Sequence, residues 1–270
     1  MAGPVLVSAR RASVRQDVGQ AGVTRLGTAF RGYFNVVPAL TDELRDHAFR
    51  IRHQVYCEEL RFEPERPNRR ESDEYDTHSL HCLVRSVQSG DYVGCTRLVL
   101  TCPGNRGQLL PFENTCAQTI DRAIVDPLVL PRERIAEVSR LAIVAGYRRR
   151  RGEKSQPAPV SDKGFGGGDQ PRFPYLAIGL YLGTIELAAL HGIDTLFVLT
   201  EPKLIRHFAT LGVKISPIGR PVQHRGVRIP STISVPSIIA GLNVVVRPLY
   251  EVIAEEVRQA VREQRRMHKP

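Results

Sequence analysis

Tryptophan is absent from this 270-residue sequence, methionine occurs twice, and aromatic residues make up only 6% of it. These shortages do not prevent a folded core, because 42% of the residues are hydrophobic and 24% are charged, which are ordinary values for globular proteins. A chain of this length can bury a full core in one large α/β domain or in two small ones. No internal repeat is visible in the sequence.

Cysteine is also scarce, with five residues that show no zinc-binding spacing. An odd number of cysteines does not suit a disulfide framework, so we expect free thiols in a reducing cytosol. The residues are Cys57, Cys82, Cys95, Cys102 and Cys116.

Long hydrophobic runs are missing as well. The N-terminal residues include arginines but no apolar segment, which argues against a secretory signal. The most apolar run, Leu176 to Leu190, is too short to span a membrane and contains Glu186. We therefore expect a soluble, cytoplasmic protein without a transmembrane segment.

Negative charge is in deficit, since 38 basic residues face 28 acidic ones and the formal net charge is +10. Such an excess predicts an acidic partner, which can be a nucleic acid, an anionic membrane surface or an acidic carrier protein. Composition alone leaves all three open.

The pattern of elements predicts one mixed β-sheet flanked by helices in a single α/β domain. We place a basic, flexible N-terminal arm at 1–32, the domain at 33–245 with a flexible insertion at 148–174, and a charged C-terminal helix at 246–270. Strands are predicted near 33–38, 81–87, 92–100, 136–145, 195–200, 213–218 and 227–235, and helices near 41–60, 176–191, 203–211 and 247–267.

Acidic residues crowd the stretch from Glu71 to Asp76, just before the predicted hairpin whose turn is Ser89-Gly90-Asp91. Arg97 follows in the apolar second strand, where a guanidinium needs a carboxylate partner. Asp73 and Asp76 are the nearest candidates. This cluster is interpreted either as a structural brace or as the wall of a site for a charged substrate.

Five motifs appear in a fixed order: Arg52-x-x-Val-Tyr56, Phe62, Asp73-x-x-Asp76, Gly94-x-x-Arg97-Leu98 and Glu137-x-x-Arg140. Together they resemble the signature of the autoinducer (acyl-homoserine-lactone) synthases. The amino-acid sequence around these motifs is more similar still to that of the PEP-CTERM/exosortase system-associated acyltransferases, which are N-acyl amino acid synthase-like. The resemblance implies a GNAT-like acyl-CoA N-acyltransferase fold with a central mixed sheet.

The resemblance also implies the reaction. A fatty acyl group would move from acyl carrier protein or acyl-CoA to the amine of an amino acid or similar small amine. Phe62 stands where the lactone synthases have tryptophan, and the insertion at 148–174 is long. Both departures favour an amino acid over S-adenosylmethionine, although a lactone synthase using S-adenosylmethionine remains an alternative.

The resemblance assigns roles to individual residues. Catalytic roles fall to Glu137, Arg97 and Arg140, and substrate binding to Arg52, Tyr56, Phe62, Asp73, Asp76 and Ser139. Tyr56 and Phe62 are equally compatible with ordinary core aromatics. No metal or bound cofactor is expected, and the acyl-phosphopantetheine thioester would be a co-substrate.

An arginine-rich run occupies the place where a GNAT pyrophosphate loop would follow the strand. Acyl-carrier docking is assigned to Arg148, Arg149, Arg150, Arg151 and Lys154, whose charge suits a phosphopantetheine phosphate or an acidic carrier protein. A merely solvated charge run is the alternative. A basic nucleic-acid-binding protein on the same scaffold would leave Asp73, Asp76 and Glu137 unexplained, so no nucleic acid is expected; peripheral membrane contact stays open.

Strand alternation would place positions 137 and 140 on opposite faces, so a shared site needs a β-bulge between them. Glu137, in an apolar strand, is the candidate base acting through water. No Ser–His–Asp or Cys–His signature is present, which favours direct transfer, and Cys95 is interpreted as a packing residue. Residues 154–174 are predicted to form a mobile flap.

Overall fold

The computed structural model describes residues 26–102, 104–105, 107–148, 175–210 and 212–267. Within these ranges eight strands form one mixed sheet in the order β1-β2-β3-β4-β5-β8-β6, with β7 paired to β8. The strands are β1 Phe34–Pro38, β2 Ser79–Ser86, β3 Tyr92–Leu100, β4 Ile135–Ile143, β5 Thr195–Thr200, β6 Ser216–Pro217, β7 Val222–Gln223 and β8 Val227–Ser234.

Helices cover both faces of this sheet. Residues 26–33 form α1. The others are α2 Asp42–Arg52, α3 Pro111–Thr115, α4 Ala145–Arg148, α5 Tyr175–Leu190, α6 Pro202–Thr210, α7 Val235–Gly241 and α8 Arg247–Met267. Helices α1, α5 and α8 share the main core on one face, and α2 covers β2 and β3 on the other.

The predicted helix near 41–60 is confirmed, with a change of type along its length. Thr41 caps α2 by accepting a hydrogen bond from the backbone N–H of Leu44 at 3.3 Å. At its end α2 continues into a π-helix, His53–Glu59. π-helical turns are rare and are frequent at functional sites.

Two glycines let α5 approach its neighbours closely. A Cβ atom at Gly183 would lie 2.5 Å from Val36 Cγ1 and 2.9 Å from Cys82 Sγ, so α5 rests directly on β1 and β2. At Gly179 the added Cβ would instead lie 2.8 Å from the ring of Phe30. Gly183 thus lets α5 approach the sheet closely, whereas Gly179 accommodates α1.

The flexible N-terminal arm was predicted to end at residue 32, but the folded domain already begins by residue 26. Residues 26–33 are helical, and Leu26 and Phe30 are buried in the main core. Their spacing of four residues places both side chains on one helix face, which the many arginines of the segment concealed. Residues 1–25 lie outside the described part of the chain.

The C-terminal segment predicted as a separate charged helix at 246–270 forms α8 and belongs to the domain. Its apolar face is buried on α5 and β1, while its arginines lie on the outer side. The buried residues are Leu249, Tyr250, Ile253, Ala254, Val257 and Val261. A single core therefore contains both ends of the described chain.

The ladder between β4 and β5 is short, and these strands are the only parallel pair among the described strands. They pair with each other in three positions, from Ile135↔Thr195 to Glu137↔Phe197, and beyond these positions the two strands continue without pairing to each other. We call this unpaired stretch between β4 and β5 the gap. Strand β8 follows β5 as far as the pair Thr200↔Ile229 and extends further, towards the turn after β7.

One predicted strand is shorter in the structure than expected, and the predicted flap lies outside the described residues. The strand expected near 213–218 is reduced to Ser216–Pro217, and β7 was not predicted. The predicted flap at 154–174 lies outside the described residues, as does most of the insertion at 148–174.

Candidate active site

Six charged side chains meet beside the gap and form the arginine–carboxylate cluster, which consists of Arg52, Glu71, Asp73, Asp76, Arg97 and Arg140. Arg52 is fully buried at the end of α2. Its Nη1 and Nη2 donate to Asp76 Oδ1 and Oδ2 at 2.7 and 3.0 Å, and its Nε donates to Glu71. A bidentate contact of this kind fixes both the charge and the orientation of the carboxylate.

Arg97 joins the cluster from the middle of β3. Its Nη1 donates to Asp73 at 2.6 Å and to Asp76 at 3.0 Å, and its Nε donates to Ser139 Oγ on β4 at 3.1 Å. The predicted contact of Arg97 with both aspartates is confirmed. Its buried side chain is satisfied on two edges, which explains how an always-charged group is accommodated in the sheet.

Arg140 reaches the cluster because β4 bulges at this point. The register passes from Arg97↔Ser139 to Cys95↔Ala142, which leaves one extra residue on β4. Arg140 adopts φ = 53°, a left-handed conformation that is costly for a residue with a Cβ. The bulge required for a shared site is therefore present, and it lies at Arg140 itself.

The guanidinium of Arg140 then bonds to two carboxylates. Its Nη2 donates to Asp73 Oδ2 at 3.0 Å and its Nε to Glu71 Oε1 at 3.3 Å. Nη1 donates to no atom of the described residues. Three arginines thus face three carboxylates, so the cluster is neutral as a whole.

The cluster has a buried part and a more exposed part, which we call the rim. The side chains of Glu71 and Asp76 are 1% and 6% exposed, whereas those of Asp73 and Arg140 are 26% and 18% exposed. Burial alone would raise the pKa of the Asp76 carboxyl, but the hydrogen bonds and charge of Arg52 outweigh it and hold this pKa below its usual value. The same balance lowers the pKa of Glu71. An incoming ligand meets the rim, Asp73 and Arg140.

Of the two predicted aromatic walls, Tyr56 contacts the cluster and Phe62 is bonded to the backbone of Tyr56. Tyr56, in the π-helix, donates its hydroxyl to the carbonyl of Leu141 at 2.7 Å and lies under the guanidinium of Arg140, 6.0 Å away. Phe62 donates its backbone N–H to the carbonyl of Tyr56 at 2.7 Å, and its ring is 44% exposed. Phe62 is therefore not a core residue.

Glu137 lies on the same face of β4 as Ser139, deeper in the protein. Its Oε2 accepts the backbone N–H of Phe112 at 2.7 Å, and its carboxyl is buried. Burial raises the pKa of Glu137 to about 7, against the opposing effects of the Phe112 hydrogen bond and the charge of Arg97. A carboxyl with this pKa exchanges protons readily at neutral pH.

The other face of β4 borders an apolar pocket. Val138, which follows Glu137, points to the opposite side of the sheet and lines this pocket with residues of α5, β5 and α6. Its lining is Val138, Tyr181, Ile185, Leu196, Val198, Thr200, Leu204, Phe208, Val213, Ile215, Ile233 and Ile238. The gap between β4 and β5 thus has a charged side and an apolar side.

The assigned carrier-docking residues are only partly described. Arg148, at the end of α4, forms an ion pair with Glu59 at the end of the π-helix. Its charge is therefore compensated within the protein. Arg149, Arg150, Arg151 and Lys154 lie outside the described residues.

Sequence reasoning missed two groups of the site. Glu71 was recognised only as part of an acidic stretch, although it bonds both Arg52 and Arg140. His81 is buried 3.6 Å from Asp76, and neither ring nitrogen has a hydrogen-bond partner among the described residues. Burial and the charge of Arg52 lower the pKa of His81 to about 3. Its position opposite Arg97 on β2 was the available signal.

Cys95 is a buried packing residue, and burial raises the pKa of its thiol to about 12. Within the described ranges no helix is long and apolar enough to cross a membrane. In the same ranges no group of three or more His, Cys, Asp or Glu side chains is arranged to hold a metal ion.

Comparison with known families gives one match along the sequence. Residues 51–156 match the model of the acetyltransferase (GNAT) domain. The matched segment contains the whole arginine–carboxylate cluster and Glu137. No curated protein matches the sequence.

Solved structures resemble the whole domain. TofI, in a ternary complex with an inhibitor and MTA, is 21% identical, covers 79% of this chain and 99% of its own, and has a TM-score of 0.52. The AHL synthase LasI is 16% identical, with coverages of 78% and 97% and a TM-score of 0.54. FeeM, an N-acyl amino acid synthase from uncultured soil microbes, is 16% identical, with coverages of 78% and 96% and a TM-score of 0.50.

These likenesses establish the fold. The chain has the GNAT-like α/β fold that the sequence predicted, a single domain with a large mixed sheet between helices. The match of residues 51–156 to an acetyltransferase domain agrees with the broad prediction of an acyltransferase, and the solved structures agree with its fold.

Proposed function

We propose that the protein is an N-acyltransferase that moves a fatty acyl group from a phosphopantetheine thioester to the amine of an amino acid or similar small amine. One observation carries this proposal: the gap between β4 and β5 has a rim of opposite charges on one face and an apolar pocket on the other. An amine with a carboxylate suits the rim, and a fatty chain suits the pocket.

The binding site of the acyl donor is inferred from the stretch where β4 and β5 no longer pair with each other. Beyond Glu137 no described strand pairs with the edge of β4 that faces β5. Apart from the Leu141 carbonyl, which accepts from Tyr56, backbone groups on this edge would be available to the amides of a pantetheine arm. A thioester lying along this edge would direct its chain past Val138 into the pocket, whose lining is almost entirely hydrocarbon.

The acceptor side follows from the rim. Asp73 is the most exposed carboxylate of the cluster and would bind the ammonium of the acceptor. Nη1 of Arg140 has no partner among the described residues and would bind the carboxylate, while Tyr56 and Phe62 would form the wall beside it. Arg52, Asp76 and Ser139 act behind the rim, since each bonds another member of the cluster. The site therefore favours amino acids over amines without an acid group.

The reaction forms a C–N bond and breaks the C–S bond of the thioester. An ammonium acceptor loses two protons in total, one before it attacks and one after. Glu137, acting through a water molecule, would take the second proton from the nitrogen of the tetrahedral intermediate and return it to the leaving thiolate. Arg97 and Arg140 would stabilise the negative charge on the carbonyl oxygen.

Thiol release by the purified protein tests the proposal. Long-chain acyl-CoA and the same acyl group on acyl carrier protein are each mixed with single amino acids, and the product is identified by mass spectrometry. Thiol release with formation of an N-acyl amino acid is the expected result. Formation of an acyl-homoserine lactone from S-adenosylmethionine would assign the alternative reaction. DNA binding without thiol release would contradict the proposal that the protein is an enzyme.

The choice of donor is tested by salt. If the arginine-rich run binds the acidic carrier, the apparent KM for acyl carrier protein should rise steeply with ionic strength, because surface charges are screened within about 8–10 Å. Equal efficiency of the two donors at all salt concentrations would contradict a carrier dock. A PEP-CTERM/exosortase setting and a cytoplasmic location remain predictions from the sequence.

A further inference from the structure

The hairpin formed by β7 and β8 lies across the open end of the gap. Arg140 is three residues beyond the last β4–β5 pair on one side, and Thr200 is three residues beyond it on the other. Strand β8 passes Thr200 and continues to Val227, so the tip at 224–226 extends beyond the end of β5. Arg225 at this tip contacts Phe62 and Glu63 beside the site, and we call the hairpin the roof.

The shape of this tip is fixed by its own hydrogen bonds. The backbone N–H of His224 donates to the carbonyl of Gly226 at 2.9 Å, and Arg225 and Gly226 have φ of 51° and 101°. The guanidinium of Arg228 donates to the carbonyls of His224 and Arg225 at 3.4 and 3.2 Å. A tip held in this way presents its side chains in one orientation.

The tip is also docked on the acceptor wall. Arg225 lies 6.0 Å from the ring of Phe62 and forms an ion pair with Glu63. The backbone N–H groups of Phe62 and Glu63 both donate to the carbonyl of Tyr56, at 2.7 and 3.1 Å. Through this segment the roof is joined to the tyrosine that lies against Arg140.

These contacts place the backbone of His224 next to the residue that meets the acceptor wall, and the charge of Arg140 acts on its imidazole. This histidine is half-buried although it is at the end of a short hairpin, and the charges that act on it come from Arg140 on β4 and Arg228 on β8. The charge of Arg228 is compensated by Glu201, and that of Arg225 by Glu63. Burial and the two arginines lower the pKa of His224, so its imidazole is neutral at pH 7.

We propose that His224 is a catalytic residue that takes the first proton from the ammonium of the acceptor while Asp73 and Arg140 hold that acceptor. The nitrogen lone pair is then free to attack the thioester carbon, and the imidazolium releases its proton to solvent when the product leaves. Glu137 receives only the second proton. This assignment rests on the proposed acyl transfer and adds the group that activates its acceptor.

Two acceptors of different basicity test the assignment. Thiol release from lauroyl-CoA is measured at pH 7 with the best amino acid acceptor and with hydroxylamine, which is largely unprotonated at this pH. His224→Gln should lower kcat with the amino acid by about 100-fold, the usual contribution of a general base, and leave kcat with hydroxylamine nearly unchanged. In the variant the acid limb of the pH profile with the amino acid should move to higher pH, towards the pKa of the free acceptor amine, because only acceptor that is already deprotonated can then react.

The remaining outcomes overturn the assignment in separate ways. Equal losses with both acceptors would make His224 a structural residue, and no loss with either would remove it from the site. His191→Gln, the same change near the end of α5, is the matched control and should behave as wild type. Wild-type protein that releases no thiol with any acceptor would refute the acyl transfer itself, which distinguishes the two failures.

Discussion

Replacing Asp76 with asparagine removes one negative charge from the buried part of the cluster and keeps the shape of the side chain. The carboxylate of Asp76 accepts from Arg52 at 2.7 and 3.0 Å, from Arg97 at 3.0 Å and from the backbone N–H of Asp73 at 2.7 Å. An amide supplies one oxygen and turns an NH₂ group towards these donors. The cluster then carries an uncompensated positive charge.

The cost follows from the burial of the partners. Arg52 and Arg97 are 0% and 1% exposed, so neither can turn to solvent when Asp76 loses its charge. Removing one member of a buried ion pair typically lowers the free energy of unfolding by about 3–5 kcal/mol. Asp46→Asn is the matched control, since Asp46 pairs with Arg50 and Arg70 at the surface, where an ion pair contributes about 0–1 kcal/mol.

Urea denaturation of the three proteins measures the difference. Because the pKa of Asp76 is lowered on folding, its stabilisation is present above its ordinary value of 3.8 and is lost as pH falls towards the folded pKa. The gap between wild type and Asp76→Asn should therefore be full at pH 7 and shrink below pH 3.8. A loss under about 1 kcal/mol at pH 7 would refute the view that charge balance holds the cluster together.

Three further changes test other parts of the structure. Glu137→Gln should lower kcat by about 100-fold. Because folding raises the pKa of Glu137 from 4.5 to about 7, the free energy of unfolding of the wild type falls as pH rises through this range, and urea denaturation should show the variant becoming more stable relative to wild type between pH 4.5 and 8. If this relative increase is absent, the carboxyl of Glu137 is not buried as described. Thr200→Val removes a buried hydroxyl that has no partner among the described residues and should raise the free energy of unfolding by about 1 kcal/mol, whereas Thr184→Val, which loses a bond to the Leu180 carbonyl, should not. Gly183→Ala should lower the melting temperature, at a cost of about 1–3 kcal/mol, because its Cβ meets Val36 and Cys82, while Gly32→Ala, with open space around it, serves as the control.

Local patterns predicted the elements that carry the site. The turn at Ser89-Gly90-Asp91 and the apolar strand around Arg97 indicated the β2–β3 hairpin, and Gly90 has the positive φ of 77° that such a turn requires. The need of a buried guanidinium for a carboxylate then predicted the contact of Arg97 with Asp73 and Asp76. These inferences succeed because each depends on residues close in sequence or on one unavoidable charge.

Contacts between distant segments could not be predicted in the same way. Arg140 enters the cluster only through a left-handed residue in a strand, which has no local sequence signal for arginine. His224 reaches the rim because β8 runs past the end of β5 and because Arg225 meets Phe62. Both facts depend on how the strands are arranged, and no residue near His224 in the sequence suggests them.

The short ladder between β4 and β5 also has a consequence for hydrogen exchange. Strands β1 to β4 form one antiparallel unit, and β5 with β8 forms a second, and within the described residues the backbone ladder between the two has three residue pairs. Such units open separately when little connects them. We expect the amides of β5 and β8 to exchange together and faster than those of β2 and β3. A thioester bound along β4 would slow the faster group.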